Sequence, residues 1–332
     1  MATAIALEPV INDPLLTRVP LRHDRVFYPY GFPTRIRSNS PLVLEAAEIS
    51  CQPNRKKFDE LPLDVRVLIS DSPSPGSVEP PSFRSQSNLL MLVADSENFA
   101  CLDLNTGFSF GWATKGTAEN TEYFRQCFLD VMIFCQLEIR HLVTVHGACL
   151  MFNGKGLLFA GPSGAGKSSL AYACARRGWT YISDDASAFL RDSPRPLVLG
   201  HPHRFRFRES VGELFPELLG LKSKMRSYGK PTVEVSTASM SDLRTAEDSP
   251  INGIVFLNRN CHEPGPPVLH RVGAEETWAR LSVSVWAVQL PAYEERISAV
   301  QRLLDIPAYE INYSHLDPAI DCLEELAASG NI

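Results

Sequence analysis

The hydrophobic positions of this 332-residue chain change period along its length. Between residues 26 and 115 they form short apolar runs cut by turn residues: "VFYPYGF", "LVLEAAEI", "DVRVLIS", "NLLMLVA" and "FACLDLNTGFSFGWA". Together they read as short strands with turns. From about 119 to 140 the period lengthens, with Phe124, Phe128, Val131, Met132 and Cys135 at helical spacing, which predicts one long helix. Two strands follow, "LVTVHGACLMF" and "GKGLLFAG", joined by the turn "NGKG", where Asn-Gly is a hairpin signal. A helix over 167–177 stops at Gly178, and "WTYIS" is the next strand, ending at Asp184 and Asp185.

Further helices are expected near 209–220, 273–282 and 293–304, with strands at "TVEVS", "GIVFLNR", "SVWAVQL" and "AYEINY". A last helix has Asp317 as its cap, Pro318 in the first helical position and Gly330 at its close. Residues 1–25 are Pro-punctuated and read as an extension draped over the surface or poorly ordered. Residues 70–87, rich in Pro and Ser without periodicity, read as a flexible loop. The expected organisation is an N-terminal extension (1–25), a β-rich domain (26–118) and an α/β nucleotide-binding domain (119–332).

Composition narrows the function classes. Hydrophobic residues make up 44% and charged residues 21%, ordinary for a soluble protein. A net charge of −6 argues against nucleic acid as the main partner, although Lys and Arg cluster in "RFRFRE" and "LKSKMR". The eight cysteines include no C-x-x-C pair, which suits a reducing, cytoplasmic compartment. The N-terminal residues lack a signal-peptide pattern, and no apolar run approaches the ~20 residues of a membrane helix.

The chemistry is announced by "GPSGAGKSSL". It matches the phosphate-loop pattern G-x-x-x-x-G-K-[ST], with a strand before it and a helix after. Gly161, Gly164 and Gly166 let successive backbone N–H groups turn inward, and the helix opening at Lys167 adds its positive end. Lys167 is placed to reach β- and γ-phosphates, and the Ser168 hydroxyl to ligate Mg²⁺. Pro162, Ser163, Ala165 and Ser169 complete the nucleotide-contacting loop. Asp184 and Asp185 close the next strand on the same sheet edge, where ligands gather in open α/β sheets. In "HRFRFRES", Arg204, Arg206 and Arg208 alternate with Phe205 and Phe207, so a strand would present three guanidiniums on one face. That face is either solvated or a phosphate clamp. Lys230 is a weaker candidate of the same sort, and His201, His203, His262 and His270 have no metal-ligand spacing.

The loop alone also suits transporter ATPases and guanylate-type kinases. The chain lacks the LSGGQ signature of the first, and 160 residues precede the loop, unlike the second. The wider window 145–186, "VHGACLMFNGKGLLFAGPSGAGKSSLAYACARRGWTYISDDA", resembles the catalytic domain of HPr kinase/phosphorylase and its relatives. That group extends to phosphoenolpyruvate carboxykinase. The shared parts are His146-Gly147, the loop Gly161 to Ser168, Arg177-Gly178 and Asp184-Asp185, in the family's order.

The resemblance implies an α/β phosphate-loop kinase fold using ATP and Mg²⁺. It implies Lys167 on the β- and γ-phosphates, Ser168 and Asp184 on the metal, and Asp185 as acceptor of the hydroxyl proton. It also places His146 beside the reacting groups, where the residue pattern by itself would favour a buried histidine held by backbone. Arg206 joins this set as the charge-neutralising guanidinium. The two aspartates are neighbours, and which is base and which is metal ligand stays open.

Three departures separate the chain from HPr kinases, the first being an N-terminal domain unlike that of the classical enzyme. Ser169 stands where they carry Glu, and their glycine-rich "EIRGLGI"-type signature is missing. In its place "GHPHRFRFRESVGELF" is similar to the G-x-P-R-L-R-L segment of HPr-kinase-like proteins that act elsewhere, some on lasso peptide precursors. The expectation is therefore a kinase for a hydroxyl, foremost a serine of a protein or peptide, with HPr itself set aside. The alternatives are a small-metabolite kinase, a nucleotide-binding sensor or assembly module without transfer chemistry, and a reverse phosphatase or phosphorylase activity. Self-association is left open.

Overall fold

The computed structural model describes residues 19–51, 54–72, 76, 79–224, 231–259, 265–285 and 290–332. Three larger sheets and a two-stranded ribbon organise them. The first sheet has seven strands, in the order His23–Phe27, Thr34–Ser38, Leu63–Ser70, Phe108–Thr114, Phe99–Asp103, Leu89–Val93 and Ser82–Gln86. One face is lined by Ile36, Val65, Val67, Leu92 and Leu102, all at most 1% exposed. Against it pack the helix Pro41–Cys51 and a helical stretch running from Lys115 to Arg140. Phe124, Phe128 and Met132 bury into this core, so the first hydrophobic cluster extends beyond residue 118.

Several expected elements are corrected here. "LVLEAAEI" is part of the helix Pro41–Cys51, where a strand was expected. Its buried residues Val43, Ala46, Ala47, Ser50 and Cys51 recur at helical spacing, and Pro41 opens it where a missing N–H costs nothing. Within the expected loop 70–87, Ser82–Gln86 form an exposed edge strand paired with Leu89–Val93. The expected single helix near 119–140 is Lys115–Glu119, Thr121–Phe124, a π-turn Arg125–Leu129 and Asp130–Arg140. "LVTVHGACLMF" is two strands, Leu142–Val145 and Gly147–Phe152, which enter different sheets and part at His146. The helix near 209–220 shrinks to Val211–Leu214 and a single turn Pro216–Leu218. The last helix, Leu316–Ala328, starts ahead of Asp317, with His315 at its cap. Residues 1–18, Lys230, His262 and much of "SVWAVQL" fall outside the described residues.

The second sheet positions the chemistry. Its order is Arg244–Thr245, Thr180–Ser183, Gly147–Phe152, Lys155–Ala160, Gly253–Arg259, Ala308–Tyr313 and Val268–Val272. Lys155–Ala160, Gly253–Arg259 and Ala308–Tyr313 are parallel. Gly147–Phe152 is antiparallel both to Lys155–Ala160 and to Thr180–Ser183, so those two run the same way. Residues Gly161, Asp184, Arg259 and Tyr313 thus reach one edge of the sheet. The helices Lys167–Arg176 and Leu316–Ala328 cover one face, closed by Trp179, Tyr181, Leu170 and Leu323, each 0% exposed. A four-stranded sheet, Asp248–Pro250, Leu197–Leu199, Ser187–Leu190 and Leu142–Val145, crosses the other side. Among the described residues no helix is long and apolar enough to cross a membrane.

Gly156 marks the tightest approach between these layers. A Cβ there would lie 1.9 Å from the Pro250 carbonyl oxygen and 2.5 Å from Ser249 Oγ. Gly156→Ala is therefore expected to destabilise the fold by about 1–3 kcal/mol through backbone displacement. An unchanged urea midpoint would show that the two strands separate at no cost.

Candidate active site

The strand Lys155–Ala160 delivers the chain to Gly161, and the helix Lys167–Arg176 starts at the loop's end. Gly164 and Gly166 have φ of 96° and 93°, a region that costs any residue with a Cβ. A Cβ on Gly166 would also meet Tyr313 Oη at 2.7 Å and Arg259 Cδ at 3.4 Å. The Tyr313 hydroxyl donates to the Ala165 carbonyl at 3.2 Å and so pins the loop from below. Lys167 is 7% exposed, and its ammonium donates to the carbonyls of Gly161 (2.8 Å) and Pro162 (3.1 Å). Burial holds its pKa below the usual lysine value; Asp185 pulls the other way and Arg208 adds to the depression.

Asp184 and Asp185, adjacent in sequence, sit in different environments. Asp184 is 6% exposed and accepts the backbone N–H of Arg206 at 2.6 Å. Burial lifts its carboxyl to about 7, against the downward pull of that hydrogen bond and the Arg206 charge. Asp185 is partly open. Its Oδ1 lies 3.5 Å from His146 Nδ1, and its Oδ2 lies 3.7 Å from Arg206 Nη1. His146 sits where the chain leaves one sheet for the other, with its side chain 53% exposed. The reading as a buried histidine held by backbone is thereby overturned, because the strand break turns the ring outward.

The ribbon Arg204–Phe207 with Val233–Ser236 brings in the arginines. Phe205 and Phe207 are buried, as their alternation with the arginines predicts. Arg206 Nε donates to Glu234 Oε1 at 3.1 Å, and Arg208 donates to Ser163 Oγ at 3.1 Å across the loop. Arg204 shares the face of Arg206, with Glu234 3.5 Å from its Nη1, and it also donates to the Ile49 carbonyl at 3.0 Å, in the N-terminal part. That helix end lies against it and supplies the acceptor.

A cavity of about 540 Å³ gathers most of the expected residues. Its walls include His146, Lys167, Ser168, Asp184, Asp185 and Arg206, with Ser163, Gly164, Gly166 and Ser169 from the loop. Gly161 and Pro162 face a different hollow, and Ala165 is buried under the loop. The pattern reading missed Glu234, which holds Arg206, and Arg259, which lines the cavity from the end of Gly253–Arg259. The polar ending of "GIVFLNR" at the same sheet edge is the signal that could have pointed to Arg259.

Comparison with known proteins finds partial similarity to a small set of enzymes. No family model matches the chain. It is similar to an HPr kinase/phosphorylase of Bordetella avium, 39% identical over 69 residues (21% of this chain, 22% of the relative). It is 26% identical over 178 residues to an HPr kinase/phosphorylase of Xanthomonas campestris pv. campestris, 53% of this chain and 51% of that one. The chain is HPr-kinase-like. It spans about half the length of that Xanthomonas relative and less of the Bordetella one. Among solved structures, the HPr(Ser) kinase/phosphatase of Coxiella burnetii aligns at 14% identity and a TM-score of 0.30, over 56% of this chain and 93% of that chain. The architecture itself is that of a mixed α/β protein with a β-rich N-terminal part.

Of the histidines without an assigned role, His201 carries a pH signature. Burial, reinforced by His203, Arg206 and Arg204, lowers its imidazole from the ordinary 6.5 to about 3. Since the folded value lies below the unfolded one, its contribution to stability is complete above pH 6.5 and is lost as pH falls towards 3. Stability should therefore drop on acidification below 6.5, by up to ~1.4 kcal/mol per pH unit from this group. His201→Phe should flatten that slope in urea unfolding; parallel slopes would assign the acid sensitivity elsewhere.

Proposed function

We propose that the chain is an ATP- and Mg²⁺-dependent kinase that transfers the γ-phosphoryl group to a hydroxyl. The observation that carries this reading is one cavity holding both the phosphate loop and the Asp185–His146–Arg206 group. A sensor that merely bound nucleotide would need the loop and not the second set. Loop N–H groups and the ammonium of Lys167 would hold the β- and γ-phosphates, which requires that ammonium to leave the Gly161 and Pro162 carbonyls. Arg206 and Arg208 would neutralise charge on the transferred group. Asp185, the more open of the two acids, would take the acceptor's proton, and His146 would orient that carboxylate.

Ser168 and Asp184 fit a magnesium ion: both are hard oxygen donors on the cavity wall, and Mg²⁺ commonly takes one or two protein oxygens beside phosphates and waters. When bound, the ion would neutralise phosphate charge. The residues 26–118 and the helix Asp130–Arg140 would hold the acceptor, in a cytoplasmic setting. The acceptor would be a hydroxyl of a protein, a peptide or a small metabolite, and the space beyond Asp185 bears on that choice. Transfer of radiolabel from γ-labelled ATP to a peptide pool and to a metabolite pool tests the reading. Tight nucleotide binding with no transfer to either would favour a sensor.

A further inference from the structure

A second cavity, of about 280 Å³, adjoins the first. The two share Asp184, Asp185 and Arg206 and no other lining residue among those described. Asp185 therefore stands between a phosphate-loop chamber and a chamber closed by the N-terminal part, through Tyr30, Ser50 and the helix Asp130–Arg140.

The second chamber is built from polar groups held in place. Arg125, 3% exposed, donates to Glu122 (2.8 Å) and Asp130 (2.9 Å). Its Nε–H is buried without a hydrogen-bond partner, as is His201 Nε2. Ser50 donates to Asp130, and Thr144 Oγ1 donates to Glu138 at 2.7 Å. Rings supply the remaining wall. Tyr30 lies 4.1 Å from His201 with the two rings tilted by 46°, and Phe134 meets both edge-on. Tyr30 holds φ of 52°, a costly conformation for a bulky residue, kept by the packing that aims its ring here.

Three guanidiniums (Arg125, Arg204, Arg206) stand among four acids (Asp130, Glu138, Asp184, Asp185). Arg125 is engaged by Glu122 and Asp130 and Arg206 by Glu234, so the arginines are already occupied rather than free for an anionic ligand. The chamber offers many hydrogen-bonding groups beside aromatic faces, which suits a neutral molecule with hydroxyls on its edges and C–H on its faces. Its volume lies just below the ~300–1,000 Å³ of drug-sized ligand sites, which suits a ligand smaller than those. A seryl peptide would need room for its flanking backbone as well as for the side chain.

We propose that this chamber is the acceptor subsite and that its ligand is a free sugar or polyol, one hydroxyl of which reaches Asp185. The inference rests on the kinase reading and narrows its substrate. In the step, the hydroxyl proton passes to Asp185 and the hydroxyl oxygen bonds to the γ-phosphorus. The bond from that phosphorus to the β–γ bridging oxygen breaks, and ADP leaves with the electron pair. The products are a sugar or polyol phosphate, ADP and a proton.

The purified full chain with Mg-ATP is presented with free hexoses, pentitols and inositols and, separately, with seryl peptides, while ADP release and radiolabel transfer are followed. At least one sugar or polyol should raise ADP release roughly tenfold or more and carry the label. His201→Phe should raise that acceptor's KM up to about tenfold by removing a hydrogen-bonding nitrogen from the wall, with the Mg-ADP dissociation constant unchanged. His201→Gln, which restores a polar atom, should recover part of the loss. Label on peptides and on no sugar or polyol overturns the inference. So does an unaltered KM in His201→Phe. Mg-ADP binding without polyol transfer overturns this inference alone, whereas failure of the unaltered protein to bind Mg-ADP overturns the kinase reading with it.

Discussion

Asp185→Asn is expected to lower the turnover number for phosphoryl transfer by about 10²–10⁴-fold, the usual contribution of a positioned general base. The dissociation constant for Mg-ATP should change little, because the groups proposed to grip phosphate are on the loop and on Arg208, which donates to Ser163 in that loop. The asparagine keeps the shape and removes the proton acceptor. Asp185 also faces His146 at 3.5 Å and Arg206 at 3.7 Å, distances that let the carboxylate move onto a substrate hydroxyl. A single-turnover experiment separates this chemistry from product release. A variant that transfers phosphoryl within a few-fold of the unaltered rate would remove Asp185 from the mechanism and favour the sensor.

Lys167→Ala is expected to cost about 10²–10³-fold in kcat/KM, the scale of losing one charged donor aimed at developing charge. The same change should scarcely affect folding. It gives up two hydrogen bonds to the loop carbonyls, while burial already disfavours the ammonium. Measuring kcat/KM beside the thermal midpoint distinguishes a failed site from a failed fold. Full activity in the variant would sink the phosphate-loop assignment, and with it the kinase reading.

Together these variants divide the two halves of the cavity. On the proposed reading Lys167 answers for the donor and Asp185 for the acceptor. A sensor would lose function with the first and keep it with the second.

Much of the donor half was legible in the residues. A strand, a glycine-rich turn and a helix are local features, and "GLLFAGPSGAGKSSLAYACARRG" carries every signal within one short window. The Asp pair was legible because the next strand is short and its end is marked by two charges. The alternation of Arg204 to Phe207 disclosed which side chains are buried, because a strand puts successive residues on opposite faces. The helix Pro41–Cys51 was misread as a strand because its run of Leu, Val and Ala is apolar enough to suit either period. Its neighbours decided the matter by taking one stripe of it into the core.

What lay beyond the sequence depends on contacts between residues far apart along the chain. Glu234 holds Arg206, Tyr313 props Ala165, and Arg204 turns to Ile49; no local period connects any of these pairs. The difference between Asp184 and Asp185 is likewise tertiary. One is sealed under the ribbon backbone and lifted to about 7 by burial, while its neighbour stays partly exposed. The exposure of His146 follows from two strands entering separate sheets, a choice made by long-range pairing. The sequence by itself determined the phosphate loop, its flanking strand and helix, and the acids at the next strand's end, because these are set by short-range geometry. Only the tertiary structure decided which groups face one another across Asp185, because that depends on how the N-terminal part packs against the sheet edge.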